Sequence, residues 1–275
     1  MKNMTFLLTL AASGLFCLSC QQSGGASSHG DSTALQTASE APVASAPVKY
    51  LRKYTRTLAG DEPEVLTFSY DAAHRLTAVN KAGDEQGGQQ FEYDGNGRLT
   101  KLTYWHDGRR HVISYTYSGT GATGAEQVFE EGETEAGSTA TWTIGMQNGK
   151  VTSIRKTNTE DPSENSYQVY RYDGDNLTYI ASMAANGKDT AGVTSLTYGR
   201  KSSPYAGMRQ PLLHPTALFF LQSANDMTSM AMRSKQVNAE IVTVYEYKYD
   251  AQGYPVSGIE KDAGDVSATA VYEYE

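Results

Sequence analysis

His106 and His111 flank Asp107-Gly108-Arg109-Arg110, a turn sequence that brings their backbones close enough for a metal or acid/base pair. No third ligand accompanies them and two arginines would repel a cation, so the pair reads as structural. Asp94-Gly95-Asn96-Gly97 and Asp173-Gly174-Asp175-Asn176 carry the oxygen types of a calcium loop. They lack its spaced ligands and terminal bidentate glutamate, and turn formation explains them fully. Ser153 and Lys156 have the spacing of a nucleophile and its base, but in a strand residues three apart point to opposite faces. Glu126, Glu130, Glu131, Glu133 and Glu135 could pair for glycoside hydrolysis; beside Gly132 and Gly137 the run reads as a solvated hairpin tip. The expected catalytic, metal and cofactor sets are therefore empty. Aromatic side chains are the better candidates. Tyr104, Trp105 and Trp142 can stack on the C–H face of a sugar, and they are the expected ligand-binding residues.

Composition narrows what must position them. The chain has 275 residues, 39% of them hydrophobic, and two cysteines; its mean hydropathy is −0.50. A polytopic helical membrane protein and a disulfide scaffold are both excluded. Nineteen tyrosines and 26 glycines against two tryptophans favour short, turn-connected strands. A formal charge of −8 argues against sequence-independent nucleic-acid binding.

The N-terminus reads as an export signal. Met1-Lys2-Asn3 is a basic start, and Met4 to Phe16 is an apolar run too short to span a bilayer comfortably. Cys17-Leu18-Ser19-Cys20 follows and resembles a bacterial lipoprotein cleavage box, with Cys17 standing where that pattern has leucine. The resemblance implies a signal peptide over 1–19 and lipidation of Cys20. An ordinary secretory signal cut nearby is the alternative. Gln21, in place of the aspartate that retains lipoproteins at the inner membrane, implies the outer membrane. Residues 21–47 are mostly Gln, Ser, Gly, Ala, Thr and Pro with almost no large apolar side chain, so 20–47 buries no core and reads as a flexible tether of about 30 Å root-mean-square length.

From Val48 the chain repeats. Phe68-Ser69-Tyr70-Asp71-Ala72-Ala73-His74-Arg75-Leu76-Thr77 aligns with Phe91-Glu92-Tyr93-Asp94-Gly95-Asn96-Gly97-Arg98-Leu99-Thr100. Weaker copies put second aromatics or their equivalents at Tyr117, Ile144, Tyr172, Tyr198, Tyr249 and Tyr274, with steps of 23, 24, 27, 28, 26, 51 and 25 residues. Aromatic-x-aromatic is a period-2 signal that places both rings on one sheet face. Asp-Gly-Asn-Gly supplies the positive φ and the side-chain acceptor of a tight turn. Each unit is then two strands and two turns, about fifteen strands in all, in antiparallel meander order.

Phe91 to Thr100 resembles the tyrosine-aspartate (YD) repeat of bacterial Rhs and eukaryotic teneurin shells. The whole layout resembles an uncharacterised family of secreted lipoproteins with a porin-like soluble barrel, which carries no established activity. The resemblance implies an all-β curved or closed barrel over 48–275. Fifteen strands would enclose a backbone diameter of about 30 Å and a lumen of roughly 15 Å. That hole must be wet, plugged or flattened. Residues 202–236 break the pattern with Pro204, Pro211 and Pro215, and Thr216 to Leu221 reads as a short helix followed by Met227, Met230 and Met232. This insertion is expected to cap one barrel end; a lid is the alternative. The expected function is non-catalytic: binding of a glycan or peptide from a lipid anchor on the outer membrane. A structural envelope component is the second reading, and a hydrolase of envelope glycans the third.

Overall fold

The computed structural model describes residues 48–83, 88–106, 108–184, 187–208, 223–235 and 239–275. The first eight strands are β1 Leu51–Leu58, β2 Glu64–Tyr70, β3 Leu76–Lys81, β4 Gly88–Tyr93, β5 Leu99–His106, β6 Arg109–Ser118, β7 Gly121–Phe129 and β8 Ser138–Gln147. The rest are β9 Lys150–Thr157, β10 Ser166–Asp173, β11 Asn176–Met183, β12 Thr190–Ser202, β13 Asn225–Ser234, β14 Ala239–Tyr249, β15 Pro255–Asp262 and β16 Asp265–Tyr274. Each pairs antiparallel with its sequence neighbours, and β1 pairs with β16, so the sheet is a closed barrel. Closure removes every unpaired sheet edge.

The strand count is sixteen, one more than the sequence suggests. The additional strand is β13, which lies inside the stretch assigned to the insertion. Asn-Asp-Met-Thr-Ser-Met-Ala-Met is poor in β-branched and aromatic residues, so strand propensity gives it little signal. Its Met227, Met230 and Met232 pack against the core from the barrel wall instead of forming a plug. Helix among the described residues is limited to two single 3-10 turns, Pro162–Glu164 and Ala206–Met208. The helix expected over 216–221, with Pro211 and Pro215, lies outside the described residues, as do the signal, Cys20 and the tether.

The barrel has two distinct ends. Both ends of the sheet's chain, Leu51 and Tyr274, lie at what we call the near end. The Asp-containing turns lie there too. Asp71 Oδ1 accepts from the backbone N–H of Ala73 and of Arg75, and Arg75 Nε donates back to Asp71 Oδ2. Asp94 repeats this with Asn96 and Arg98. The fourth turn residue needs positive φ: Gly97 takes +79°, and His74 takes +58° while stacked on Tyr50. These N–H donors, the backbone of Arg75 and Arg98 foremost, hold both carboxyls below the usual aspartate value.

Tyrosines tie the seams that the turns leave open. The hydroxyl of Tyr70 donates to the Leu51 carbonyl (2.7 Å), Tyr93 to Leu76 (2.6 Å), Tyr117 to Leu99 (2.9 Å), Tyr198 to Leu177 (2.6 Å) and Tyr274 to Pro255 (2.7 Å). Each bond joins two strands connected only at the opposite, far end. Successive units also interlock: the Arg75 guanidinium lies 4.9 Å from the Tyr93 ring centroid, and that of Arg98 lies 5.0 Å from Tyr117.

The near half of the interior is filled. Leu51, Leu76, Leu99, Val151 and Leu177 form one buried cluster with the first aromatics of the repeats, Phe68, Phe91, Tyr115, Trp142 and Tyr170. Tyr205 and Met208, from the loop after β12, are buried in the same cluster. The lumen of the sequence estimate is closed there by side chains. The far half is polar: Arg56 makes two hydrogen bonds to Glu260 (2.9 and 2.5 Å), and Lys81 pairs with Glu64 (2.8 Å).

The outward exposure is mixed: β14 to β16 expose Ile241, Val242, Val244, Val256, Val266 and Val271, whereas β7 and β8 expose small and polar side chains. Thr123, Ala125 and Gln127 of β7 and Thr139, Thr141 and Thr143 of β8 are exposed, and Lys101–Glu92 and Lys261–Glu246 pair across the surface. Charges on a lipid-facing wall would cost about 2–4 kcal/mol each at mid-bilayer. No described helix is long and apolar enough to cross a membrane.

Candidate functional site

The most concentrated chemistry borders the buried core cluster on its far side and shares Trp142 with it; there five consecutive strands β5 to β9 each contribute one side chain. Strand alternation sends Tyr104, His111, Glu126, Trp142 and Lys156 inward, and the pairings Tyr104↔His111, Ile113↔Glu126 and Trp142↔Lys156 bring them together. Glu126 is the hub, 1% exposed. Its Oε1 accepts from the Tyr104 hydroxyl (2.9 Å) and from His111 Nδ1–H (2.8 Å). Its Oε2 accepts from Trp142 Nε1–H (2.9 Å), with the Lys156 ammonium at 3.5 Å. A hydroxyl, an indole N–H, an imidazole and an ammonium thus converge on one carboxyl group, the company that suits an acceptor-only carboxylate.

Lys156 bridges outward, pairing with Glu164 at 2.9 Å, and this ammonium holds the Glu164 carboxyl below its usual value. The Tyr104 and His111 rings stack at 4.4 Å. Burial first, then the charge of Glu126, pushes the Tyr104 hydroxyl far above the ordinary tyrosine value. Gly124, paired with Trp142, makes room for the cluster: a Cβ there would lie 2.9 Å from Ile113 Cγ2 and 3.2 Å from the Tyr115 ring.

The sequence candidates are distributed unevenly. Tyr104 and Trp142 do meet, on Glu126, as its hydrogen-bond donors; Trp142 is only 2% exposed and offers no free face for stacking. Trp105 follows Tyr104 in the strand and so lies on the outer face, away from the hub. The His106 and His111 rings are 6.4 Å apart, with His111 committed to Glu126. Cys20 lies outside the described residues. Among the described residues no three His, Cys, Asp or Glu side chains form a metal-binding group. Glu126 itself departs from the acidic run: Glu130, Glu131, Glu133 and Glu135 are exposed at the β7–β8 tip, but Glu126 is wall interior. The signal was present in the period, since Glu126 shares parity with Ala122 and Val128.

Three described side-chain atoms are buried without a hydrogen-bond partner: Gln89 Oε1, His111 Nε2 and the Tyr115 hydroxyl. All lie on β4 and β6 beside the hub. The contrast with the near-end tyrosines gives a paired expectation. Tyr93→Phe strips a donor from the Leu76 carbonyl and should cost about 1–2 kcal/mol in urea unfolding. Tyr115→Phe removes an unpartnered hydroxyl and should be neutral or stabilising. Equal losses for both would contradict this geometry.

Chemically, the hub is a charged keystone that ties five strands through one carboxylate. The RHS Repeat family model matches residues 70–109, the stretch holding the Asp71 and Asp94 turns; the equivalent Asp250 turn lies outside it. No curated protein sequence matches the chain. Among solved structures, a porin-like protein from Bacteroides uniformis aligns over 82% of this chain and 96% of its own, at 16% identity and a TM-score of 0.40. A porin-like protein from Bacteroides vulgatus aligns over 83% of this chain and 99% of its own, at 13% identity and a TM-score of 0.51, and is similar to this chain in fold.

Proposed function

We propose that the protein is a non-catalytic, lipid-anchored envelope protein that binds a glycan or peptide at the far end of its barrel. The carrying observation is the polarity of the barrel. The sheet's first strand starts at the near end, where Tyr205 and Met208 help fill the interior, and residues 20–47 precede it in the sequence. An anchor at Cys20 would hold that end toward the membrane and turn the far-end loops outward. No nucleophile facing a cleft stands out among the described residues, which supports a binder over a hydrolase. The porin-like protein from Bacteroides vulgatus contributes the fold to this reading and nothing finer.

The test is a thermal-shift screen of the processed, detergent-extracted protein against envelope glycans, peptides and divalent metals. A ligand at one hundred times its Kd adds about 2.7 kcal/mol, a rise of several degrees at this size. A saturable rise with a glycan or peptide class is the expected result. No rise with any class would favour the second reading, a structural envelope component, for which the packed interior speaks. Cys20→Ser should release the protein from the membrane fraction.

A further inference from the structure

The outer face of the wall behind the Glu126 hub carries a depression of about 140 Å³ between the β5–β6 turn and the β7–β8 tip. Its lining includes Trp105, Arg110, Glu130, Glu131 and Glu133, with Gly108 and Gly132 adding no side chain over them. The position is at the far end, on the side opposite the chain's own aromatic core. We propose that this depression binds one neutral pyranose ring of a glycan, with the Trp105 indole as its platform. The inference rests on the far-end binding reading and selects glycan over peptide.

Four observations carry it. First, the platform is held: Tyr104 and His111, the inward neighbours of Trp105 and Arg110, are bound to Glu126, so the strand pair beneath the indole is fixed from inside. Second, the polar groups are pre-oriented. The Arg110 guanidinium lies 4.1 Å from the Phe129 centroid, and Arg109 holds Glu130 at 3.0 Å. Third, the chemistry is two-sided. A pyranose offers an apolar C–H face to an indole and a rim of hydroxyls that both donate and accept. Glu131 and Glu133 supply acceptors, and Arg110 supplies donors. A cationic side chain would meet Arg110, and an acidic sugar would meet the glutamates. Fourth, the size is that of one ring, since a cavity of about 150 Å³ accommodates a single six-membered ring. A single-ring site implies weak binding per site, strengthened where many anchored copies face one polymer.

The two tryptophans make the experiment direct, because Trp142 is buried and Trp105 borders the surface. Intrinsic fluorescence of the full processed protein would be titrated with neutral hexose and N-acetylhexosamine oligosaccharides, an acidic oligosaccharide and a lysine-rich peptide. A saturable change with a neutral saccharide is expected, weakened about tenfold or more in Trp105→Ala and partly retained in Trp105→Phe. Because Trp105 is outside the core, both variants should keep the parent melting temperature. For the variants, which lose that reporter, calorimetry gives the affinity. Saccharide binding that survives Trp105→Ala, or binding of the peptide alone, would overturn the Trp105 site and leave the far-end binding reading standing. No binding of any probe would overturn both.

Discussion

Glu126→Leu should destabilise the barrel by about 3–5 kcal/mol, at roughly 1–3 kcal/mol for each buried donor left without its acceptor. The substitution strands the Tyr104 hydroxyl, Trp142 Nε1–H and His111 Nδ1–H, and it deprives Lys156 of one of its two carboxylates. Against a total stability of about 5–15 kcal/mol this is a large fraction, and a fall in Tm of roughly 10 °C or more should follow. Glu126→Gln keeps one acceptor and turns an amide donor toward groups that also donate, so its loss should be smaller but clear. Lys156→Met should be less harmful when combined with Glu126→Gln than in the parent, because the cation then has less to neutralise. That coupling is measurable by a double-mutant cycle in urea. Additive effects, or a neutral Glu126→Leu, would show that the five strands are held by packing alone.

Alkali should unfold the protein cooperatively between about pH 10 and pH 12. Burial raises the hydroxyls of Tyr54, Tyr104, Tyr115, Tyr170, Tyr205, Tyr247 and Tyr272 far above the ordinary value of 10.0. Tyr117 and Tyr198 are pushed up to about 12, again chiefly by burial. A raised folded-state value means that the contribution is intact below the unfolded value and lost as pH rises above it. Each well-buried tyrosine that stays neutral while its unfolded counterpart ionises removes about 1.4 kcal/mol per pH unit. A few acting together exhaust the whole stability within about two units. Tyrosinate absorbance should therefore appear in the same transition as loss of near-ultraviolet dichroism. A gradual titration centred near pH 10 in an intact barrel would contradict the burial.

Most of the architecture was legible because its determinants are local. Phe91-x-Tyr93 and Phe68-x-Tyr70 announce an inward face by period alone, and Asp94 to Gly97 announces the turn by its own side-chain hydrogen bonds. What escaped depends on partners far along the chain. Nothing local shows that Glu126 is met by donors from four other strands; the acidic residues that follow it point instead to solvent. The sequence offers Tyr104 and Trp105 together as ligand-binding candidates, yet adjacent strand residues must part to opposite faces, and the structure puts a wall between them. The choice of Tyr over Phe at the second aromatic also carried information. It marks the hydroxyl that reaches the carbonyl across the seam, whereas the first aromatic is Phe at 68 and 91 because it meets only core.

The β1–β16 seam has a consequence for biogenesis. Tyr54 pairs with Tyr272, and the seam is finished by Glu275 N–H donating to the Tyr50 carbonyl. The first strand therefore waits for the last. Until β16 is in place, a growing sheet carries two raw edges, each a template for a stray chain. A polypeptide so arranged makes its most distant pairing the condition for closing the sheet, a topology that folds slowly and as one unit.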